Sequence, residues 1–322
     1  MPKPDAARQL TTDTRIEEFV CAILDVTDSD ERQEAINLIS NGESRLKDLS
    51  ENHTFTYSDF RDHRYKTNDA REILRQKVYD ELITIKRPEN DENIRLGTGG
   101  ALPRSGILKK ERKAFIVIGP PASGKSFFSN KLVDAFGAMI LDSDYAKRKL
   151  PEYYNKANGA SLVHEESSQI IFKYNYNVLK YSLQNNINIV IPKIGNSFAD
   201  LVNEFVQPLN EIGYSCFLIL IELDRFKATQ RAFNRFKETN RYVPLAMIFD
   251  VYGNEPILSY YRIKESYFNL FAGFCHFSND VKRGDKPLLV ENINADDIVD
   301  AVLGGAHDEK GYTIPSIEKG GK

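Results

Sequence analysis

Residues Gly119-Pro120-Pro121-Ala122-Ser123-Gly124-Lys125-Ser126 form a complete GxxxxGK[ST] loop, with Phe127 directly after it. The loop follows a short apolar run, AFIVIG (Ala114–Gly119), and opens a stretch with helical patterning from Lys125. That context suits the chemistry. Glycines let backbone N–H groups turn inward around a β-phosphate, and the following helix adds the positive end of its dipole. Residues Gly119 to Phe127 are therefore the candidate ATP-binding residues. Lys125 is placed to reach the β- and γ-phosphates, and the Ser126 hydroxyl to ligate Mg²⁺. The bland alternative is a chance glycine-rich turn, which would not need a strand before it and a helix after it.

Two further groups carry candidate chemistry. Asp142-Ser143-Asp144 follows a second apolar run, AMIL, about twenty residues beyond the loop. In a parallel sheet, ligands meet the carboxyl ends of strands. There Asp144 is the candidate base that accepts a proton from an attacking hydroxyl, and Asp142 a candidate on the Mg²⁺ side. The competing use is an Asx turn capping the next helix. Arg231, Arg235 and Arg241 lie in QRAFNRFKETNRYVP, the first two sharing a helix face. Such arginines either steady charge on a transferring phosphoryl group or form a solvated face paired with acids such as Glu238.

The elements that must position these groups alternate. Apolar strands are expected at Ala114–Gly119, Ala138–Asp144, Asn188–Pro192 and Ser215–Leu223. Two weaker strands follow at Cys275–Phe277 and Pro287–Val290. Helices separate them, one running from about Val163 to Gln184. Continuous apolar strands alternating with helices imply an α/β fold, a parallel sheet with helices on both faces. Ahead of it, helical spacing over Arg15–Asn52 gives two or three short helices. A further helix at Ala70–Ile85 carries a stripe of Ile73, Val78, Leu82 and Ile83. Arg87–Arg104, which includes Gly97–Arg104, reads only as a loop. The expected division is a helical segment at 1–60, the kinase-like domain at 61–306 and a tail at 307–322.

Composition narrows the class. The 322 residues carry a formal charge of −3 and 28% charged side chains, with no basic excess to attract nucleic acid or an anionic membrane. Cys21, Cys216 and Cys275 lack metal-binding spacing and read as free thiols. The polar start MPKPDAARQL has no apolar signal core, and no run approaches a membrane span, so a cytoplasmic location is expected.

With the loop GPPASGKS, the strand end LDSD followed by a basic stretch and LPEYY, the strand NIVI and the segment RFKETNRYVP in place, the chain resembles the zeta-toxin family of small-molecule kinases over roughly Phe115–Tyr267. The resemblance implies that Asp144 is the catalytic base, that Lys125 serves the phosphates and that Arg235 and Arg241 are the lid arginines. It implies ATP and Mg²⁺ as cofactors, growth inhibition as the outcome, and an antitoxin as partner, either separate or built into residues 1–60. Its usual substrate is UDP-N-acetylglucosamine, phosphorylated at the 3′-hydroxyl of the amino sugar. The family's Glu-Gly-Thr after the third strand is here replaced by Pro192-Lys193-Ile194 and Gly195-Asn196-Ser197, which leaves NAD or another nucleoside-like acceptor as the alternative. His164, Glu166, Lys193 and Asn196 are the candidate acceptor contacts. A nucleotide switch without catalysis is the rival from another class.

Overall fold

The apolar run of β1 (Lys113–Ile118) is buried from Ala114 onward and forms the middle of a six-stranded sheet. A strand covered on both faces needs apolar side chains on both, which explains the absence of alternation. This computed structural model describes residues 7–47, 53–155, 159–239, 242–282 and 284–304. With β2 (Met139–Ile140), β3 (Ile189–Lys193), β4 (Ser215–Glu222), β5 (Gly273–Ser278) and β6 (Leu288–Ile293), the sheet order is β2-β3-β1-β4-β5-β6. β1 pairs in parallel with β3 and β4, so the phosphate loop leaves the sheet between two neighbouring strand ends.

The expected α/β P-loop kinase-like architecture is present, with local corrections. β6 runs antiparallel to β5. The connection 279–287 is too short for the crossover of a dozen or more residues that parallel strands require. β2 pairs only at Met139 and Ile140, because the chain turns at Asp142 into a helix at Ser143–Lys147. The helix expected over Val163–Gln184 is three pieces. A helix at His164–Ser168 passes into a π-helical turn at Gln169–Lys173, and a separate helix begins at Val178. The break comes where Asn177, extended in backbone, caps the new helix by accepting from the Lys180 N–H at 2.7 Å.

Two helices, α1 (Asp13–Ala22) and α2 (Ser29–Lys47), precede the sheet. Thr12 caps α1 through its side chain. Phe19, Val20, Ile36 and Ile39 form a second core with Ala232, Phe233, Phe236 and Phe249, distinct from the core on the sheet. Part of that core comes from the helix Arg225–Thr239, so the N-terminal helices are packed directly on the candidate lid. Arg8 pairs with Asp250 at 2.8 Å, and the Tyr242 hydroxyl donates to Glu43 at 2.5 Å. The following helix α3 (Asn68–Thr84) buries Leu74, Val78 and Leu82, whereas Ile73 is 70% exposed. Positions 74, 78 and 82 are four apart and share one face, so the apolar stripe passes through Leu74 and not Ile73.

Candidate active site

The phosphate loop takes the shape its sequence predicts. Gly124 has φ of 90° and Ala122 φ of 62°, left-handed conformations that turn successive N–H groups to one side. A Cβ on Gly119 would lie 2.4 Å from the Ile221 carbonyl oxygen, so only glycine lets β1 and β4 approach so closely here. The helix α4 (Lys125–Ala135) starts at the lysine, and its first N–H groups have no intrahelical acceptors. Among the described residues the buried Ser123 hydroxyl has no hydrogen-bond partner, an orphaned group inside the cradle. Lys125 Nζ donates to the carbonyls of Gly119 and Pro120, both at 2.7 Å. Burial pushes its pKa down to about 7, against the pull of Asp142. These features fit a triphosphate, whose charge would restore the ammonium.

Asp142 makes the Asx turn that the sequence allows and also lines the cleft. Its side chain accepts from the Asp144 N–H at 2.9 Å and caps α5 (Ser143–Lys147), and it also faces the loop. Burial, reinforced by the charge of Asp144, raises its pKa to about 6. Asp144 is partly exposed and pairs with Lys147 at 2.8 Å. Ser126, Asp142 and Asp144 line one cleft of ≈ 310 Å³. Among the described residues, no group of three or more His, Cys, Asp or Glu could hold a metal ion by itself. This donor set suits Mg²⁺, which usually takes one or two protein oxygens and completes its shell from phosphate and water.

Of the candidate lid arginines, Arg231 and Arg235 lie among the described residues. Arg235 is close enough to Lys125 for its charge to depress the lysine pKa. Arg231 instead donates to the carbonyls of Asn279 at 3.3 Å and Val281 at 3.1 Å, tying the lid helix to the segment after β5. Arg241 lies outside the described residues. Phe127, Arg231, Asn234, Arg235 and Asn279 border an open groove of ≈ 840 Å³ beside the loop.

The candidate acceptor contacts separate into two groups. His164 is exposed, within the electrostatic reach of Lys147, Asp144 and Lys193. Lys193 is the last residue of β3, paired with Ile118, and Asn196 follows three residues later. Glu166 does not belong with them. It is fully buried, bonded by Arg71 and by Arg75 at 2.7 Å, and also reached by the Thr54 hydroxyl. Two residues apart on a helix, His164 and Glu166 point to nearly opposite sides, so only one can face the cleft. Arg71 also pairs with Glu152 at 2.7 Å, closing a buried ionic network.

Three site residues were missed by the sequence reading. Asn130, one turn beyond Ser126 on α4, lines the same cleft, and the i, i+4 spacing could have found it. Asp91, from the segment read as a plain loop, accepts from Asn130 Nδ2 at 2.9 Å and from the Tyr145 hydroxyl at 2.8 Å. That segment contains a 3₁₀ turn at Asp91–Asn93 and forms one wall of the cleft. Asn279, just past β5, donates to the Ser123 carbonyl at 2.7 Å and clamps the loop.

Comparison with known proteins agrees with this fold. The pattern of the AAA domain family matches residues 115–249, the stretch from β1 through the lid helix. No curated protein sequence matches the chain. Among solved structures, one from the PezAT chromosomal toxin–antitoxin system of Streptococcus pneumoniae is similar with a TM-score of 0.51 and 16% identity, over 77% of this chain and 91% of that one. At that identity the likeness is one of fold. A structure of AvrRxo1-ORF1:AvrRxo1-ORF2 with sulphate ions aligns at 17% identity and a TM-score of 0.43, over 72% of each chain. The class so defined is a P-loop kinase-like α/β protein with N-terminal helices.

Proposed function

We propose that the protein is a toxin-like kinase that transfers the γ-phosphoryl group of ATP to a hydroxyl of a nucleotide-linked metabolite. The observation that carries this reading is the convergence of Ser126, Asp142 and Asp144 in one cleft at the end of the phosphate loop. A nucleotide switch has no need of a carboxylate base at that place. Residues Gly119–Phe127 would hold the triphosphate, and Ser126 with Asp142 the Mg²⁺. Together ATP and Mg²⁺ supply the transferable phosphoryl group and offset its charge. Asp144 receives the proton of the acceptor hydroxyl, and Lys147, paired with it at 2.8 Å, holds the carboxylate in place. Arg235, with Arg241 by family resemblance, adds positive charge over the site.

The acceptor proposed first is UDP-N-acetylglucosamine, at the 3′-hydroxyl of the amino sugar. A second reading, NAD or a related nucleotide, is favoured by Pro192, which stands where the resembling family carries a glutamate and offers an amino sugar no carboxylate. The N-terminal helices are proposed to act as an antitoxin in cis, because they share a core with the lid helix. Among the described residues no helix is long and apolar enough to cross a membrane, and a cytoplasmic site of action is proposed. The test is ³¹P NMR of the full chain with ATP·Mg²⁺ and each acceptor. A new phosphomonoester, lost at least 100-fold in Asp144→Asn, supports the proposal; equal activity in that variant refutes it.

A further inference from the structure

β3 ends in a cation that forms no ion pair among the described residues. Lys193 is the last residue of β3 and lies opposite Ile118 of β1 in parallel register, next to the start of the phosphate loop. It is half-buried, and its ammonium stands 3.9 Å from the centroid of the Phe172 ring and 4.6 Å from that of Phe205. Among the described residues it makes no hydrogen bond and no ion pair. Each ring sits on a separate π-helical turn, Gln169–Lys173 and Val202–Val206. Such turns recur at functional sites, where they re-aim a side chain.

A partly desolvated ammonium over two aromatic faces is stabilised less than one with a carboxylate partner. Burial accordingly brings its pKa down to about 8, although Asp142 and Glu204 favour the charged form. At neutral pH the group is still protonated. Asp142 and Glu204 act on Lys193, and the charge of Lys193 is felt at His164, which Asp144 also reaches. Paired with Ile118, the residue before the phosphate loop, Lys193 stands at the carboxyl ends of the parallel strands, where ligands meet the sheet. The rings fix its direction, which is what a recognition residue requires: a charge preorganised for an anion that arrives with the ligand.

We propose that Lys193, clamped between Phe172 and Phe205, selects an acceptor that carries a phosphate or pyrophosphate ester. The inference rests on the kinase reading for its context. It adds a class requirement: an uncharged sugar or nucleoside leaves this ammonium without a counter-ion, whereas a nucleoside diphosphate supplies one. The phosphates of ATP are the other possible source of the anion, so the test separates the two.

The experiment is calorimetric titration at pH 7 of UDP-N-acetylglucosamine and of NAD into the full chain saturated with Mg²⁺ and a non-hydrolysable ATP analogue. It compares wild type, Lys193→Met and Lys193→Arg, with N-acetylglucosamine as the uncharged control. Methionine keeps an unbranched stem between the rings, and Lys193→Gln serves if it does not fold. At least one diphosphate probe is expected to bind wild type. That affinity should fall about 10- to 100-fold in Lys193→Met and stay within about threefold in Lys193→Arg. Equal affinity in wild type and Lys193→Met, a loss confined to the ATP analogue, or no binding of either diphosphate probe overturns the inference. The kinase reading fails separately: charge-dependent binding with no transfer by ³¹P NMR removes the reaction and leaves Lys193 as an anion site.

Discussion

Replacing Glu166 with alanine tests the reassignment of this residue from acceptor contact to structural anion. Its carboxylate is fully buried and bonds both Arg71 and Arg75. In Glu166→Ala, Arg71 retains Glu152, while among the described residues Arg75 is left with partly exposed Glu72 at 3.5 Å, the Phe55 carbonyl, the Tyr174 side chain and aromatic faces. Leaving a buried charge without its partner costs about 3–5 kcal/mol. With a specific unfolding entropy of about 2 cal/mol/K per residue over this length, the midpoint should fall by about 5–8 °C. Burial alone would raise the Glu166 pKa, but the hydrogen bonds from Arg71 outweigh it and hold it below the ordinary value. Its stabilisation is thus complete above the unfolded carboxyl pKa and disappears as pH falls through the lowered folded value. The gap between wild type and variant should be full at pH 7 and close in acid. The double variant Glu166→Leu/Arg75→Met removes both charges and should recover much of the loss. Circular-dichroism melts across pH read all three. An unchanged midpoint with abolished phosphoryl transfer would show that Glu166 touches substrate and that the buried network is misjudged.

Further outcomes follow from the site. Lys125 is depressed to about 7, so nucleotide binding at pH 8 should take up about one proton and at pH 6 very little. Calorimetry in buffers of different ionisation enthalpy measures this; proton release at pH 8 would contradict it. In Gly124→Ala the new Cβ meets Asn279 Nδ2 at 2.5 Å and must adopt φ of 90°. That strain of about 1–3 kcal/mol should weaken nucleotide binding about 5- to 150-fold in an equilibrium assay. Asn279→Ala, which frees the Ser123 carbonyl, should weaken nucleotide binding by a smaller factor, about fivefold. Phe19→Ala opens the core shared with the lid helix and is expected to raise turnover while lowering the melting midpoint. Unchanged or lost turnover would leave the N-terminal helices as a buttress only.

The chemistry-bearing segments were legible in the chain because each is local. A glycine pattern between an apolar strand and a helix specifies the phosphate loop, and Asp142 and Asp144 follow from the rule that ligands meet strand ends. The strand series and the N-terminal helices were readable for the same reason, since burial on one or both faces leaves a periodic trace. What the sequence could not decide depends on contacts between distant segments. Glu166 looks like any helical acid until Arg71 and Arg75, about ninety residues earlier, are brought against it. Ile73 and Leu74 are adjacent and both apolar, and only the packing of α3 determines which is buried. The antiparallel β6 and the π-turns that aim Phe172 and Phe205 at Lys193 leave no periodic signature. Asp91 reached the cleft because a segment without apolar periodicity was fixed by hydrogen bonds to α4 and α5. Local backbone chemistry wrote the loop and the acids into the sequence; the direction of each side chain was set by what the tertiary fold placed opposite it.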